Sequence, residues 1–189
     1  MPPTPEIWLV RHAETEWSRD RKHTGRTDVP LLEEGREAAV ALGRRLAGHE
    51  WTEVWTSPLS RARDTCSLAG LGDRAGVRED LLEWDYGEYE GITTAEIRET
   101  RPTWFLWRDG CPGGEGPFDV GRRIDPLIDE LCELSGDAVL FSHGHVLRVL
   151  AARWIGLPPT DGALLALSTG AVCVLGWERE VRVIWRWNS

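Results

Sequence analysis

Two short apolar runs without polar alternation, Ile7–Val10 and Ala138–Phe141, constrain this chain more than any other feature. A strand wetted on one face alternates apolar with polar residues, whereas a strand covered on both faces reads as a continuous apolar run. Both runs stop abruptly at polar pairs, Arg11-His12 and Ser142-His143. A third run, Glu53–Thr56, stops at Ser57-Pro58. Ser as N-cap and Pro at the first helical position predict a helix there, over Leu59–Ala69.

The segments between these runs carry helical periodicity. Val40, Leu42 and Leu46 among alanines predict a helix over Glu33–Leu46. Val120, Ile124, Leu127, Ile128 and Leu131 share one face, predicting a helix over Pro117–Leu134 that Pro126 kinks or restarts. A helix from about His145 to Ile155 follows, then strands at Leu164–Leu167, Val172–Gly176 and Val181–Trp185, the last two as a hairpin. Strands alternating with helices make an α/β fold, a three-layer α/β/α sandwich with a largely parallel sheet. Residues 80–123 are irregular, with a glycine-rich stretch at Gly110–Gly116, and read as a cap insertion over the sheet. That stretch lacks the Gly-Lys-Ser/Thr ending of a P-loop. With no repeat or linker, the 189 residues are expected to form one domain, 1–189. Ligands of such folds bind at the carboxyl ends of the strands, where Arg11-His12 and Ser142-His143 fall, with Arg61 just beyond a third end.

Composition narrows the partners. Asp plus Glu is 31 against 22 Lys plus Arg, a formal charge of −9, which disfavours nucleic acid and anionic membranes. Anionic small molecules stay open if a few cations converge in one cleft. Cys66, Cys111, Cys132 and Cys173 lie far apart and are expected as reduced, mostly buried thiols. The Pro-rich stretch Met1–Glu6 has no basic region leading into an apolar one, and no run approaches a membrane span, so a cytoplasmic protein is expected. Of the 11 tryptophans, Trp8, Trp55, Trp154, Trp177 and Trp185 fall in apolar periodic segments and are expected in the core. Trp17, Trp84, Trp104 and Trp107 are candidates to line a pocket. Oligomeric state is left open, a homodimer included.

Four ordered motifs then combine. The first runs from Leu9-Val10-Arg11-His12-Ala13-Glu14-Thr15-Glu16-Trp17-Ser18 into Thr24-Gly25-Arg26-Thr27-Asp28. Thr56-Ser57-Pro58-Leu59-Ser60-Arg61-Ala62, Leu81 to Gly91 and Ser142-His143-Gly144-His145-Val146-Leu147-Arg148 follow. Together they resemble the histidine phosphatase superfamily, which includes the phosphoglycerate mutases, over nearly the whole chain. The resemblance implies a metal-independent phosphatase of small phosphomonoesters, sugar phosphates included, with no cofactor and no metal. It makes His12 the phosphoryl acceptor, Arg11, Arg61 and His143 the phosphate cradle, and Glu83 the acid that protonates the leaving oxygen and later activates water. Ser18, Thr24, Gly25 and Gly144 are expected as further phosphate contacts, and Trp84 as a substrate contact. The chemistry suits these residue types. Guanidinium groups bind two phosphate oxygens at once and stay charged, and a neutral imidazole is a competent nucleophile near pH 7.

The sequence also departs from the family's pattern. Ala13 stands where a glycine is usual, Ser18 where the mutases carry asparagine, and Trp84 where they carry an arginine for the substrate carboxylate. Residues 83–91 with Asp109–Glu115 look most like a branch containing actinobacterial acid phosphatases and the fungal sedoheptulose bisphosphatase. The alternatives are a phosphoglycerate mutase, a non-catalytic phosphate-binding module, which would be expected to lack His12 or Glu83, and a phosphohistidine-protein phosphatase, whose chains are shorter.

Overall fold

In the computed structural model, which describes residues 4–189, the chain builds its elements in this order. Strand β1 (Ile7–Arg11) leads to a one-turn helix α1 (Glu16–Arg19) and then to α2 (Glu33–Leu46), β2 (Glu53–Thr56), α3 (Ser60–Leu68) and β3 (Gly76–Val77). Short helices α4 (Thr94–Thr100) and α5 (Leu106–Asp109) precede α6 (Pro117–Cys132), β4 (Ala138–Ser142), α7 (Gly144–Trp154), β5 (Val172–Glu178) and β6 (Val181–Arg186). Met1–Pro3, half of the N-terminal stretch read above, lie outside the described residues.

The sheet has the order β3-β2-β4-β1-β5-β6. Strands β1, β2, β3 and β4 pair in parallel, while β5 and β6 close one side as an antiparallel hairpin. The two unalternating runs occupy its centre, β1 beside β4, as expected for strands buried on both faces. Alternate residues feed two cores. Trp8, Val10, Val139 and Phe141 pack with Leu42, Leu46 and Cys66 under α2 and α3. Ile7, Leu9, Ala138 and Leu140 pack with Ile124, Leu127, Val146 and Leu150 under α6 and α7. The three layers follow from that alternation.

Several expectations are corrected. Leu164–Leu167 forms no strand: a 3-10 helix covers Pro159–Leu164, and Arg148 takes the carbonyls of Gly162 and Ala163. The free edge of β1 is occupied by β5 instead. The two-residue strand β3 gave no readable period. Ser57 is not a helix cap, because α3 starts at Ser60 after Leu59 and without a side-chain cap. Pro126 does not restart α6, which runs from Pro117 to Cys132 as one helix. It lies on the exposed face, so the carbonyl it leaves unpaired meets water. Val40 is 50% exposed, since α2 buries Gly35, Ala39, Leu42 and Leu46 instead. Gly35 has to be glycine: a Cβ there would stand 2.3 Å from the Glu14 carbonyl, so α2 packs directly on the loop after His12. Trp185 is 51% exposed and Trp177 half-buried, because the hairpin faces water beyond the helical layers.

Segment 80–123 contributes Trp84, Tyr86, Tyr89, Ile97, Trp104, Leu106 and Trp107 to the same core as α6 and α7. Its side chains are therefore packed together with those of the helical layer. Arg123 ties it down, with Nη1 donating to the carbonyls of Asp80 (2.7 Å) and Leu82 (2.9 Å) and Nε and Nη2 gripping the Glu115 carboxylate. Replacing Arg123 by Leu leaves these acceptors without their donor, which should cost about 2–3 kcal/mol, a Tm drop of about 4–12 °C. An unchanged Tm in a thermal melt would mean that apolar packing alone holds the segment.

Candidate active site

Parallel neighbours β2, β4 and β1 all end on one side of the sheet, and the strand-end residues meet there. A cavity of about 340 Å³ opens between those ends, the start of α7 and residues 83–94. Arg11, His12, Ser18, Thr24, Glu83 and Gly144 line it, as the sequence led us to expect.

His12 is 4% exposed. Its Nδ1 lies 2.7 Å from the carbonyl of Ala13. A carbonyl only accepts, so Nδ1 carries the proton and Nε2 keeps its lone pair. Burial, then the charges of Arg11 and Arg61, hold this imidazole well below the usual histidine range and therefore neutral near pH 7.

Arg11 reaches across to the Leu167 carbonyl with Nη1 (2.5 Å), while its Nε is buried without a partner. Its guanidinium lies against Gly144, where a Cβ would sit 3.2 Å from Cζ. Arg61 has no exposed surface and does not line the cavity. It stands directly behind it, donating to the carbonyls of Thr24, Gly25 and Thr27 and, through Nε, to Nδ1 of His143 at 3.1 Å. A guanidinium only donates, so His143 carries its proton on Nε2 and gives it to Ser57 Oγ at 2.7 Å. The rings of His12 and His143 lie 5.2 Å apart. Burial, followed by the charge of Arg61, keeps His143 neutral as well. Among the described residues neither Arg11 nor Arg61 forms a salt bridge, so the cation lining the cavity and the one buried behind it both lack a carboxylate partner.

Glu83 is 4% exposed and caps α7 from outside the helix. Oε1 accepts the N–H groups of Trp84 and Val146, both at 2.9 Å, and Oε2 accepts that of His145 at 3.0 Å. A carboxylate suits this helix start, where unpaired N–H groups and the helix dipole favour negative charge. Oε2 keeps a lone pair for the cavity, and the N–H of Gly144, at the first helical position, is left to face it too.

Four expected contacts change. Trp84 is fully buried, with Nε1 donating to the Glu115 carbonyl and its ring edge-on to Trp107, so it lines no part of the cavity. Trp104 and Trp107 are core residues likewise. The Gly25 N–H goes to the Glu90 carboxylate at 2.8 Å rather than to a ligand, and the glycine is demanded by packing, since a Cβ would stand 2.6 Å from the Trp84 carbonyl. Ser18 and Thr24 line the cavity, but their hydroxyl hydrogens go to the carbonyls of Thr15 and Lys22.

Sequence reasoning missed Arg21, Lys22, His23, Tyr86, Thr94, Arg148 and Leu167, which complete the lining together with His145, placed by the sequence within reach of a substrate but given no role. Arg148 was readable in principle, because Gly144, His145 and Arg148 share one face of α7 at helical spacing. Thr94 and Leu167 carried no such signal.

Comparison with known proteins agrees with this geometry. The pattern of the histidine phosphatase superfamily (branch 1) matches residues 7–189. An acid phosphatase of Mycobacterium tuberculosis is 41% identical over 182 residues, covering 93% of this chain and 88% of the relative. Sedoheptulose 1,7-bisphosphatase of Saccharomyces cerevisiae is 37% identical over 186 residues, covering 82% of this chain and 69% of the relative. The solved structure of an open reading frame from Mycobacterium tuberculosis superposes with a TM-score of 0.92 at 39% identity, covering 97% of each chain. With the family pattern spanning nearly its whole length, this chain belongs to the histidine phosphatase superfamily, branch 1.

Proposed function

We propose that the protein hydrolyses small phosphorylated sugars through a phosphohistidine at His12, without a metal ion, and that it does so as a single cytoplasmic domain with residues 80–123 as its cap. The observation that carries the chemistry is the tautomer of His12. Its proton is fixed on Nδ1 by Ala13, which leaves the Nε2 lone pair for the cavity beside the Arg11 guanidinium, whose Nε has no partner. The acid phosphatase and sedoheptulose bisphosphatase relatives support the substrate class. Arg21 and Lys22 at the cavity wall add positive charge suited to anionic sugars. No helix among the described residues is long and apolar enough to cross a membrane, and the four cysteines are unpaired.

The steps follow from the atoms present. Arg11, with Arg61 and His143 behind it, draws the phosphoryl oxygens in and offsets their charge. Nε2 of His12 attacks phosphorus as the ester oxygen departs, and a proton on Oε2 of Glu83 passes to that oxygen. The freed alcohol leaves. Glu83, now a carboxylate, takes a proton from water, whose oxygen attacks the phosphohistidine and releases inorganic phosphate.

Brief reaction with labelled substrate in the presence of a chelator, quenched in alkali, should leave acid-labile label on the protein. His12→Ala should abolish both label and turnover. Near wild-type turnover in that variant, or a chelator-induced loss restored by magnesium or zinc, would overturn the mechanism.

Glu83→Gln should lower turnover about 10²–10⁴-fold on sugar phosphates. The loss should be smaller on p-nitrophenyl phosphate, whose leaving oxygen needs little protonation. Equal losses on both would move the acid to another residue.

A phosphoglycerate mutase would use the same nucleophile and cradle, so the products decide between them. Given 3-phosphoglycerate and a trace of 2,3-bisphosphoglycerate, the protein should release phosphate faster than it forms 2-phosphoglycerate. Isomerisation outrunning release would replace the hydrolase reading.

A further inference from the structure

One wall of the cavity has no part in the chemistry above. It is made by Tyr86, His145 and His23, whose rings touch in series: His23 to Tyr86 at 4.8 Å and Tyr86 to His145 at 5.9 Å between centroids. The Tyr86 hydroxyl lies 2.5 Å from Nδ1 of His145 and has no other partner among the described residues. Burial, with the nearby Glu83 charge, pushes the Tyr86 phenol well above its ordinary pKa, so it keeps its proton and donates it to Nδ1. That fixes the His145 tautomer, with the hydrogen on Nε2 at the far side of the ring. Nε2 has no partner among the described residues, yet it is not among the fully enclosed unpartnered atoms. His145 is half-buried and lines the cavity, so this N–H opens into it. The ring is edge-packed by Trp84 at 6.2 Å and Trp107 at 5.4 Å, which leaves it little room to turn. Burial holds both His145 and His23 neutral, the latter with a pKa of about 4. An uncharged, oriented N–H matches an alcohol oxygen better than a second anion, and a neutral donor rejects partners that cannot accept from it.

We propose that His145, oriented by the Tyr86 hydroxyl, is a specificity residue whose Nε2–H binds a hydroxyl group of the sugar portion, selecting polyol phosphates over phosphate esters without hydroxyls. This rests on the phosphatase reading of the cavity and goes beyond it by assigning the discriminating contact. Tyr86 is the positioning residue of the pair.

The experiment compares kcat/KM for a panel of pentose and hexose phosphates with that for hexyl phosphate, whose alkoxide leaving group is similar but which carries no hydroxyl. The wild-type protein should prefer the polyols. His145→Ala should reduce that preference about tenfold, chiefly through KM. His145→Gln, which keeps an N–H donor, should restore part of it. Tyr86→Phe removes a single oxygen and should also reduce the preference, and the double variant should be no worse than His145→Ala alone, because both changes remove one interaction. Nitrogen-15 spectra of the labelled protein should show His145 protonated on Nε2, a state that Tyr86→Phe relaxes.

An unchanged preference in His145→Ala, multiplying losses in the double variant, or a proton found on Nδ1 would each overturn the proposal. So would a wild-type protein that hydrolyses p-nitrophenyl phosphate but does not favour polyols. Failure to hydrolyse any ester would instead refute the phosphatase reading beneath it.

Discussion

Everything at the strand ends depends on a guanidinium that no solvent reaches. Arg61 gives its N–H groups to three carbonyls of residues 24–27 and to His143, and none of these carries a formal negative charge. Burying a cation among neutral acceptors is costly unless every donor is used. The loop therefore has to follow the guanidinium, and the backbone of 24–27 takes the shape that satisfies it. His143 is held by the same group and passes its own proton to Ser57, so β2, β4 and the loop after α1 are joined through one side chain. A phosphate dianion would be the natural complement to Arg61 and to Arg11, whose Nε is enclosed without a partner. The site is thus arranged for negative charge by the fold itself.

Glu83 is the second constraint, and it works in the opposite sense. Its carboxylate closes the exposed N–H groups at the start of α7, so residues 80–123 are fastened to the sheet side at a carboxylate that also lines the cavity. The Arg123 grip on Asp80, Leu82 and Glu115 holds the same segment from behind. The position of the segment and that of the Glu83 carboxylate are consequently one variable. A shift of the segment that moved substrate-facing residues would also pull the carboxylate off the helix.

The sequence made the sheet legible where burial was symmetrical. β1 and β4 announce themselves because both faces of each are covered, and their abrupt ends marked the site. The reading failed where a residue's partner lies far away in the chain. Ser57 looked like a cap because its neighbours suited one, but a histidine 86 residues away claims its hydroxyl. Leu164–Leu167 looked like a strand until Arg148 took the carbonyls before it. Trp84 looked like a pocket residue because it follows Glu83, yet an indole that can reach the Glu115 carbonyl is better hidden than wetted. The candidate site was legible despite this because its four motifs sit at element ends. The wall of His23, Tyr86 and His145 was not read as a unit, being assembled from segments with no shared local pattern.

The central place of β1 has a consequence for how the molecule is made. Ile7 pairs with Ala138 on one side and with Leu175 on the other, so neither neighbour exists until most of the chain has been synthesised. An apolar strand with both faces bare must wait through that interval. Topologies dominated by such distant pairings close slowly, because loop entropy is lost before contacts reward it. Meanwhile the waiting strand is the segment best suited to join another chain. The protein's window of vulnerability is therefore translation itself, and the strand-end residues that line the cavity are among the last to become safe.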